Sequence, residues 1–253
     1  MLVGGGCMAT TINFLDNQLK LSDQMILNDF NIKNKSIWDL AQLNIEAKKR
    51  HFYPKLFLLS YSLFKRDVNV KATNMATIIQ LIYLASEIHK YEGDKPGYPV
   101  LVGDYLYSMF FQNLCKYDMI EWLPPLSQTI STMQLGSMER FENNTINKTS
   151  TLNIISKESA PLGEVSCMLG ASFANAPSRV VSSLRGVGFI LGLIFGLLED
   201  KKTSVSKVLN YIEEVEERIL IIGSLTKNKE KMNNFQQIIN SFKSSIEINS
   251  KVG

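Results

Sequence analysis

The sequence predicts an all-α fold, a single domain of roughly ten helices packed helix on helix. Three observations carry that expectation. Apolar residues recur at helical spacing along most of the 253 residues. Seven prolines and few strand-like alternations favour helix over sheet. The polar breaks between apolar runs are short, and with 45% hydrophobic and 20% charged residues the chain can bury a sizeable core.

The elements follow in order. Residues 1–11 read as a disordered or artefactual leader, with Met8 as a second candidate start. Residues 12–30 carry Ile12, Leu15, Leu19, Leu21 and Ile26 as candidate buried positions, and Asp23 could cap a short helix. Residues 36–48 form a second helix, with Ser36 as N-cap and Asp39 completing a loose capping box. Pro54 suits the first turn of the next helix, KLFLLSYSLF. Residues 72–89 set Ala76, Ile79, Ile82, Tyr83 and Ser86 along one side. Pro96, Gly97 and Pro99 predict a tight turn before a helix over 100–115. Trp122 and the prolines after it mark a boundary, and Leu126 to Phe141 resumes a helix. Asn143 to Ser150 reads as a polar loop. Residues 151–175 form a helix rich in small residues, and Pro177 starts another that runs to Asp200. Residues 203–222 are amphipathic, with Glu213, Glu214, Glu216, Glu217 and Arg218 on the exposed side, and 228–248 form a polar last helix.

Composition removes several function classes. A net charge of +3 gives no reason to invoke nucleic acid. Cys7, Cys115 and Cys167 are widely spaced and form no pairing framework, as expected of reduced cytosolic thiols. His51 and His89 have no second ligand at zinc spacing. The N-terminus lacks the basic region of a signal peptide. The most apolar run, Val187 to Leu198, falls short of the ~20 residues that a membrane span needs. It reads as a core helix whose glycines let neighbours approach. A cytoplasmic protein with no transmembrane segment is expected.

Two polar stretches are candidates for chemistry. The first is Lys48-Lys49-Arg50-His51-Phe52-Tyr53-Pro54, which is either a solvated helix end favoured by the dipole or an anion site. The second is the break between the helices that flank it within Met75 to Phe111, where Lys90, Tyr91, Glu92 and Asp94 stand. Farther on lie Lys157-Glu158 and, at the end of the helix from Leu184, Glu199-Asp200.

In this order, from about residue 45 to residue 200, the phrases resemble the trans-isoprenyl diphosphate synthases, the polyprenyl synthetase family. Arg50 falls where that family's diphosphate-binding element has its lysine and His51 where it has its first arginine, while Tyr53 replaces the second. Ser86-Glu87-Ile88-His89 matches three of four positions in the phrase before the first aspartate-rich box. The box itself reads Lys90-Tyr91-Glu92-Gly93-Asp94, so only its last acid, Asp94, remains. Val100-Leu101-Val102-Gly103-Asp104-Tyr105-Leu106 is the most specific match. Lys157 fits the family's lysine-threonine element with Glu158 in the threonine's place. Gly188, Gly192 and Phe195 fit the helix that leads to the second box, and Gly196 stands where glutamine is usual. That box starts Glu199-Asp200 and has Thr203 in place of its third acid.

The resemblance implies an isoprenoid synthase-like helical bundle. It also implies a reaction in which Mg²⁺ ions between two acidic boxes draw off an allylic diphosphate and isopentenyl diphosphate attacks the resulting carbocation. Mg²⁺ needs several oxygen ligands, which Lys90 and Tyr91 do not replace. At ~5 Å and an effective dielectric near 20, each unit charge is worth on the order of 3 kcal/mol, so lysine for carboxylate reverses a large term. Weak or absent Mg²⁺ binding is expected at the first box. Asp94, Glu199 and Asp200 are the metal ligands if an active site survives, although Glu199 and Asp200 also fit a solvated helix end. Arg50, His51, Lys90 and Lys157 are the candidate diphosphate contacts.

The function expected is a non-catalytic or regulatory subunit of a heteromeric long-chain, heptaprenyl-type prenyl diphosphate synthase, partnered with a catalytic subunit. The alternatives are a divergent active prenyltransferase and an isoprenoid-binding carrier. Pairing, with another subunit or as a homodimer, could use Met109-Phe110-Phe111 and Met133 to Leu135, which could equally be core.

Overall fold

A computed structural model of the chain describes residues 5–29, 45–90, 97–146, 150–200, 205–226 and 229–252. The all-α expectation is borne out, and no strand occurs among the described residues. The helices are α1 (Gly5–Asp29), α2 (Ala47–Arg50), α3 (Phe52–Ser62), α4 (Val70–His89), α5 (Gly97–Lys116), α6 (Leu123–Ile146), α7 (Thr151–Glu158), α8 (Ala160–Phe173), α9 (Ser178–Glu199), α10 (Val205–Thr226) and α11 (Lys229–Val252), with a 3-10 turn at Ile120–Trp122. The chain divides into two compact units. The first comprises Met1–Leu58 and Asp67–Pro124, the second Leu59–Arg66 and Pro125–Gly253.

In the first unit α4 is central. Asn69 caps it, its side chain accepting the Ala72 N–H at 2.8 Å. The expected one-sided stripe of Ala76, Ile79, Ile82, Tyr83 and Ser86 is buried, but so is almost every residue from Ala72 to Ile88. A helix covered on all sides must pair its polar groups internally. Thr73 donates to Gln18 Oε1 at 2.9 Å, and Thr77 to the carbonyl of Thr73 at 3.0 Å.

α1 presents Leu15, Leu19, Ser22 and Ile26 as a buried helical stripe. Leu21 falls off that stripe and is 41% exposed, contrary to expectation. Asp23 caps nothing, because α1 runs unbroken past it. The side chain of Ile12 and residues 36–44 of the second expected helix lie outside what is described, and α2 covers only Ala47–Arg50. Pro54 sits in the first turn of α3, as expected. The turn expected at Pro96 to Pro99 is different. Gly97 opens α5 and Pro99 lies inside its first turn, where a missing N–H costs nothing. Met109 and Phe110 are core, while Phe111 is exposed.

In the second unit α6 starts earlier than expected, with Pro124 and Pro125 in its first turn, and it continues through Asn143 to Ile146. The loop expected there shrinks accordingly. Ser150 caps α7, accepting from the N–H of Asn153. The single helix expected over 151–175 is two. Pro161 has no N–H to continue the ladder of α7, and the chain breaks at Ser159 before α8.

α8 and α9 pack through glycines, as expected. A methyl group on Gly163 or Gly188 would overlap the other's carbonyl, and one on Gly192 would come 2.7 Å from the carbonyl oxygen of Ser159. α9 is long and apolar enough to cross a membrane, yet most of that apolar stretch is buried within this unit, as in a core helix. α10 buries Val208, Ile212, Val215, Ile219 and Ile222, and α11 packs on it with Phe235, Ile239 and Phe242 buried. Lys243 and Gln236 of α11 bind the Glu216 carboxylate at 2.8 and 2.6 Å. The lysine hydrogen bond is the main reason that the Glu216 pKa is lowered.

Candidate functional site

The charged residues singled out in the sequence fall in both units, and each group is held locally. In the first unit α2 ends on Arg50, and His51 follows before α3 begins. Arg50 directs Nη2 at Asp23 Oδ2 (3.1 Å) and Nε at Oδ1 (3.3 Å), while its Nη1 donates to the carbonyl of Ile45 at 3.1 Å. His51 Nε2 lies 2.9 Å from Asp23 Oδ2. Gln80 of α4 donates to Oδ1 at 2.6 Å, and its own carbonyl accepts from Ser22 at 2.5 Å. Burial pushes the Asp23 pKa up, but the hydrogen bonds from His51, Arg50 and Gln80 outweigh it and bring it from 3.8 down to about 2. Arg50 and His51 thus converge on a carboxylate within the chain. Tyr53, at the place of the expected second arginine, is buried with its ring 5.3 Å from that of Tyr83.

The phrases Ser86 to His89 and Gly103-Asp104 meet as one packing motif between α4 and α5. The His89 ring lies over Gly103 so closely that any Cβ there would overlap it. His89 Nε2 is 3.3 Å from the carbonyl of Val100 and 3.4 Å from Asp104 Oδ1, and Ser86 shares a 3.0 Å hydrogen bond with Tyr107. The matched residues here hold two helices together. Lys90, just past the end of α4, folds back onto Glu87 Oε1 at 2.8 Å. Tyr91 to Pro96, and with them Glu92, Asp94 and Lys95, lie outside the described residues.

In the second unit Lys157 pairs with Glu139. Next to each stands a complementary residue. Arg140 forks onto Glu158, Nε lying 2.9 Å from both oxygens and Nη2 2.6 Å from Oε2. Its Nη1 is 3.7 Å from Asp200 Oδ2. Glu158 is 4% exposed and Asp200 12%, so Asp200 is not a solvated helix end. Hydrogen bonding to Glu158 leads the causes that raise the pKa of Arg140, against the opposing effect of burial. Glu199 is exposed. Gly196 leaves no room for a longer side chain, since a methyl there would meet Ser159 Oγ at 2.5 Å and Ile155 Cγ2 at 2.7 Å. Lys157 lines a groove of 460 Å³ with Thr129, Thr132, Met168 and Phe189.

Among the described residues, the candidates do not fit a magnesium site. The ion wants near-octahedral oxygen ligation, and among the described residues no three His, Cys, Asp or Glu side chains are placed to hold a metal ion. Asp200 faces a guanidinium instead. In the sequence Asp23 reads only as a helix cap, and Glu139 and Arg140 are not singled out. Asp23 gives no local signal, being 27 residues from Arg50. Glu139-Arg140 followed by Lys157-Glu158 does give one, as two adjacent charge pairs in opposite order.

A profile of the polyprenyl synthetase family matches residues 93–248. Over 196 residues the chain is 24% identical to heptaprenyl diphosphate synthase component 2 of Bacillus subtilis (strain 168), covering 70% of this chain and 55% of that protein. The chain therefore spans little more than half the length of that relative. A decaprenyl diphosphate synthase from Rhodobacter capsulatus is similar in structure, with a TM-score of 0.67 and 14% identity over 93% of this chain and 97% of that one. A deletion mutant of the heterotetrameric geranyl pyrophosphate synthase of mint gives a TM-score of 0.67 and 16% identity over 87% and 98%. Both structural likenesses are of fold, and they bear out the isoprenoid synthase-like architecture. With the profile match covering more than half of its residues, the chain belongs to the polyprenyl synthetase family.

Proposed function

We propose that this chain is a non-catalytic or regulatory subunit of a heteromeric, heptaprenyl-type prenyl diphosphate synthase. One observation carries the reading. Among the described residues, the four candidate diphosphate contacts and Asp200 are paired inside the chain: Arg50 and His51 with Asp23, Lys90 with Glu87, Lys157 with Glu139, and Asp200 with Arg140. Each of these cations already has a carboxylate partner that offsets its charge and so weakens its hold on a diphosphate, and a metal held through Asp200 would stand against a guanidinium. A synthase partner with intact acidic boxes would supply the chemistry, and this chain would contribute apolar lining and a docking face.

The names of the relatives are in keeping with this, one being a numbered synthase component and another heterotetrameric. Exposed Leu101, Tyr105 and Phe111 on α5 in the first unit, and Leu135, Met138 and Phe141 on α6 in the second, suit burial against another chain. Met133 is core and does not join them. The test is co-expression with a prenyl diphosphate synthase from the same source, then pull-down and product analysis. A stable pair making a long-chain product supports the reading. A chain that captures no synthase and turns over substrate alone contradicts it, and makes it a divergent prenyltransferase acting through Glu92, Asp94, Glu199 and Asp200.

A further inference from the structure

We infer that Arg140 is a built-in cation shared by Glu158 and Asp200, a guanidinium that excludes a divalent metal ion from Asp200, the one of these two acids that the resemblance makes a metal ligand. The inference deepens the subunit reading and relies on it only for its meaning in an assembly, because the geometry belongs to this chain alone.

Three facts support it. The guanidinium serves two carboxylates at once, through Nε and Nη2 on Glu158 and Nη1 toward Asp200. Those acids come from different elements, the last residue of α7 and the C-cap of α9, so Arg140 on α6 joins three pieces of the second unit at one point. Glu158 is 4% exposed, a burial that a carboxylate sustains only with a charged or strongly hydrogen-bonding partner. An arginine side chain does not lose its proton in a protein, so this counter-charge is permanent where a metal ion would come and go. A divalent ion approaching Asp200 would meet a fixed positive charge and oxygens already engaged by it. Removing the guanidinium takes away the positive charge that a divalent ion would meet at Asp200, so the affinity of that carboxylate for such an ion should rise.

The experiment titrates the isolated full chain with Mn²⁺, reading both binding heat and melting temperature. No substrate or second subunit is present, so the outcome is independent of the co-expression test. Unaltered protein should neither bind Mn²⁺ at micromolar concentration nor melt higher in its presence. Arg140→Gln should bind Mn²⁺ about tenfold or more tighter than the unaltered chain, and its melting temperature should rise with Mn²⁺. Arg140→Gln/Asp200→Asn should lose the gain. A folded Arg140→Gln that gains nothing overturns the inference. Asp200→Asn supplies a second arm should Arg140→Gln not fold. It should melt lower than the unaltered chain by the same interval with and without Mn²⁺. An unaltered chain that Mn²⁺ stabilises, with the effect abolished in Asp200→Asn, makes Asp200 a metal ligand and overturns the inference equally.

Discussion

His51 Nε2 and Asp23 Oδ2 lie 2.9 Å apart, and Arg50 closes on the same carboxylate from beside the imidazole. The basic segment before α3 is therefore an internal ion cluster that ties α1 to the turn between α2 and α3. Asp23 should contribute about 1–2 kcal/mol at neutral pH, after allowing for screening at a partly exposed site. Its folded pKa of about 2 lies below the reference value of 3.8, so the contribution is present above the higher value and is lost as pH falls through the lower. Asp23→Asn should lower the melting temperature at pH 7 by about 2–6 °C. Measured across pH, the gap from the unaltered chain should narrow between about pH 4 and pH 2, where the carboxylate protonates. A gap independent of pH would contradict the ion cluster.

Gly103 lies beneath the ring of His89, so the resemblance at these two positions has a packing cause. Gly103→Ala should destabilise the chain by about 1–3 kcal/mol, because the ring has to move out of a packed site. In a His89→Ala background the same substitution should cost much less. A double-mutant cycle in denaturant measures that coupling, and additive costs would show that the ring is not what the methyl meets.

Glu158→Thr, which installs the residue that the resemblance leads one to expect, should be destabilising here. It removes both oxygens of the Arg140 fork. The expected cost is about 2–3 kcal/mol, below that of breaking a fully buried pair because Arg140 is partly exposed. Equilibrium unfolding checks it, and a neutral or stabilising effect would mean that Glu158 needs no arginine.

The Cys167 thiol is pushed up to about 12, chiefly by burial, while Cys115 is exposed. In a Cys7→Ser chain one thiol should react with a thiol-specific chromogenic reagent under native conditions, and a second only after denaturation. Fast labelling of both in the folded chain would contradict the packing of α8.

The helical period was enough to read α3 to α5 and α9 to α11 from the sequence, because their buried faces carry long apolar runs. Boundaries differ where the sequence reads proline as a stop. Pro99, Pro124 and Pro125 each lie in the first turn of a helix, where proline is tolerated, while Pro161 divides the stretch whose small residues predict one continuous helix. Leu21 was misplaced because polar Ser22, bonded to Gln80, holds the buried position instead. At the candidate site the residues themselves were legible and their partners were not. Glu87 and Lys90 are near in sequence, but Asp23 with Arg50 and Arg140 with Asp200 meet only through tertiary packing, and no spacing rule pairs them.

The most direct test of the subunit account is turnover by the purified chain alone, supplied with Mg²⁺, an allylic diphosphate and labelled isopentenyl diphosphate, beside the same assay after mixing with its synthase partner. The account predicts no labelled prenyl product from the chain alone and long-chain product from the mixture. Sustained Mg²⁺-dependent product from the chain alone, lost in Asp200→Asn, would contradict it.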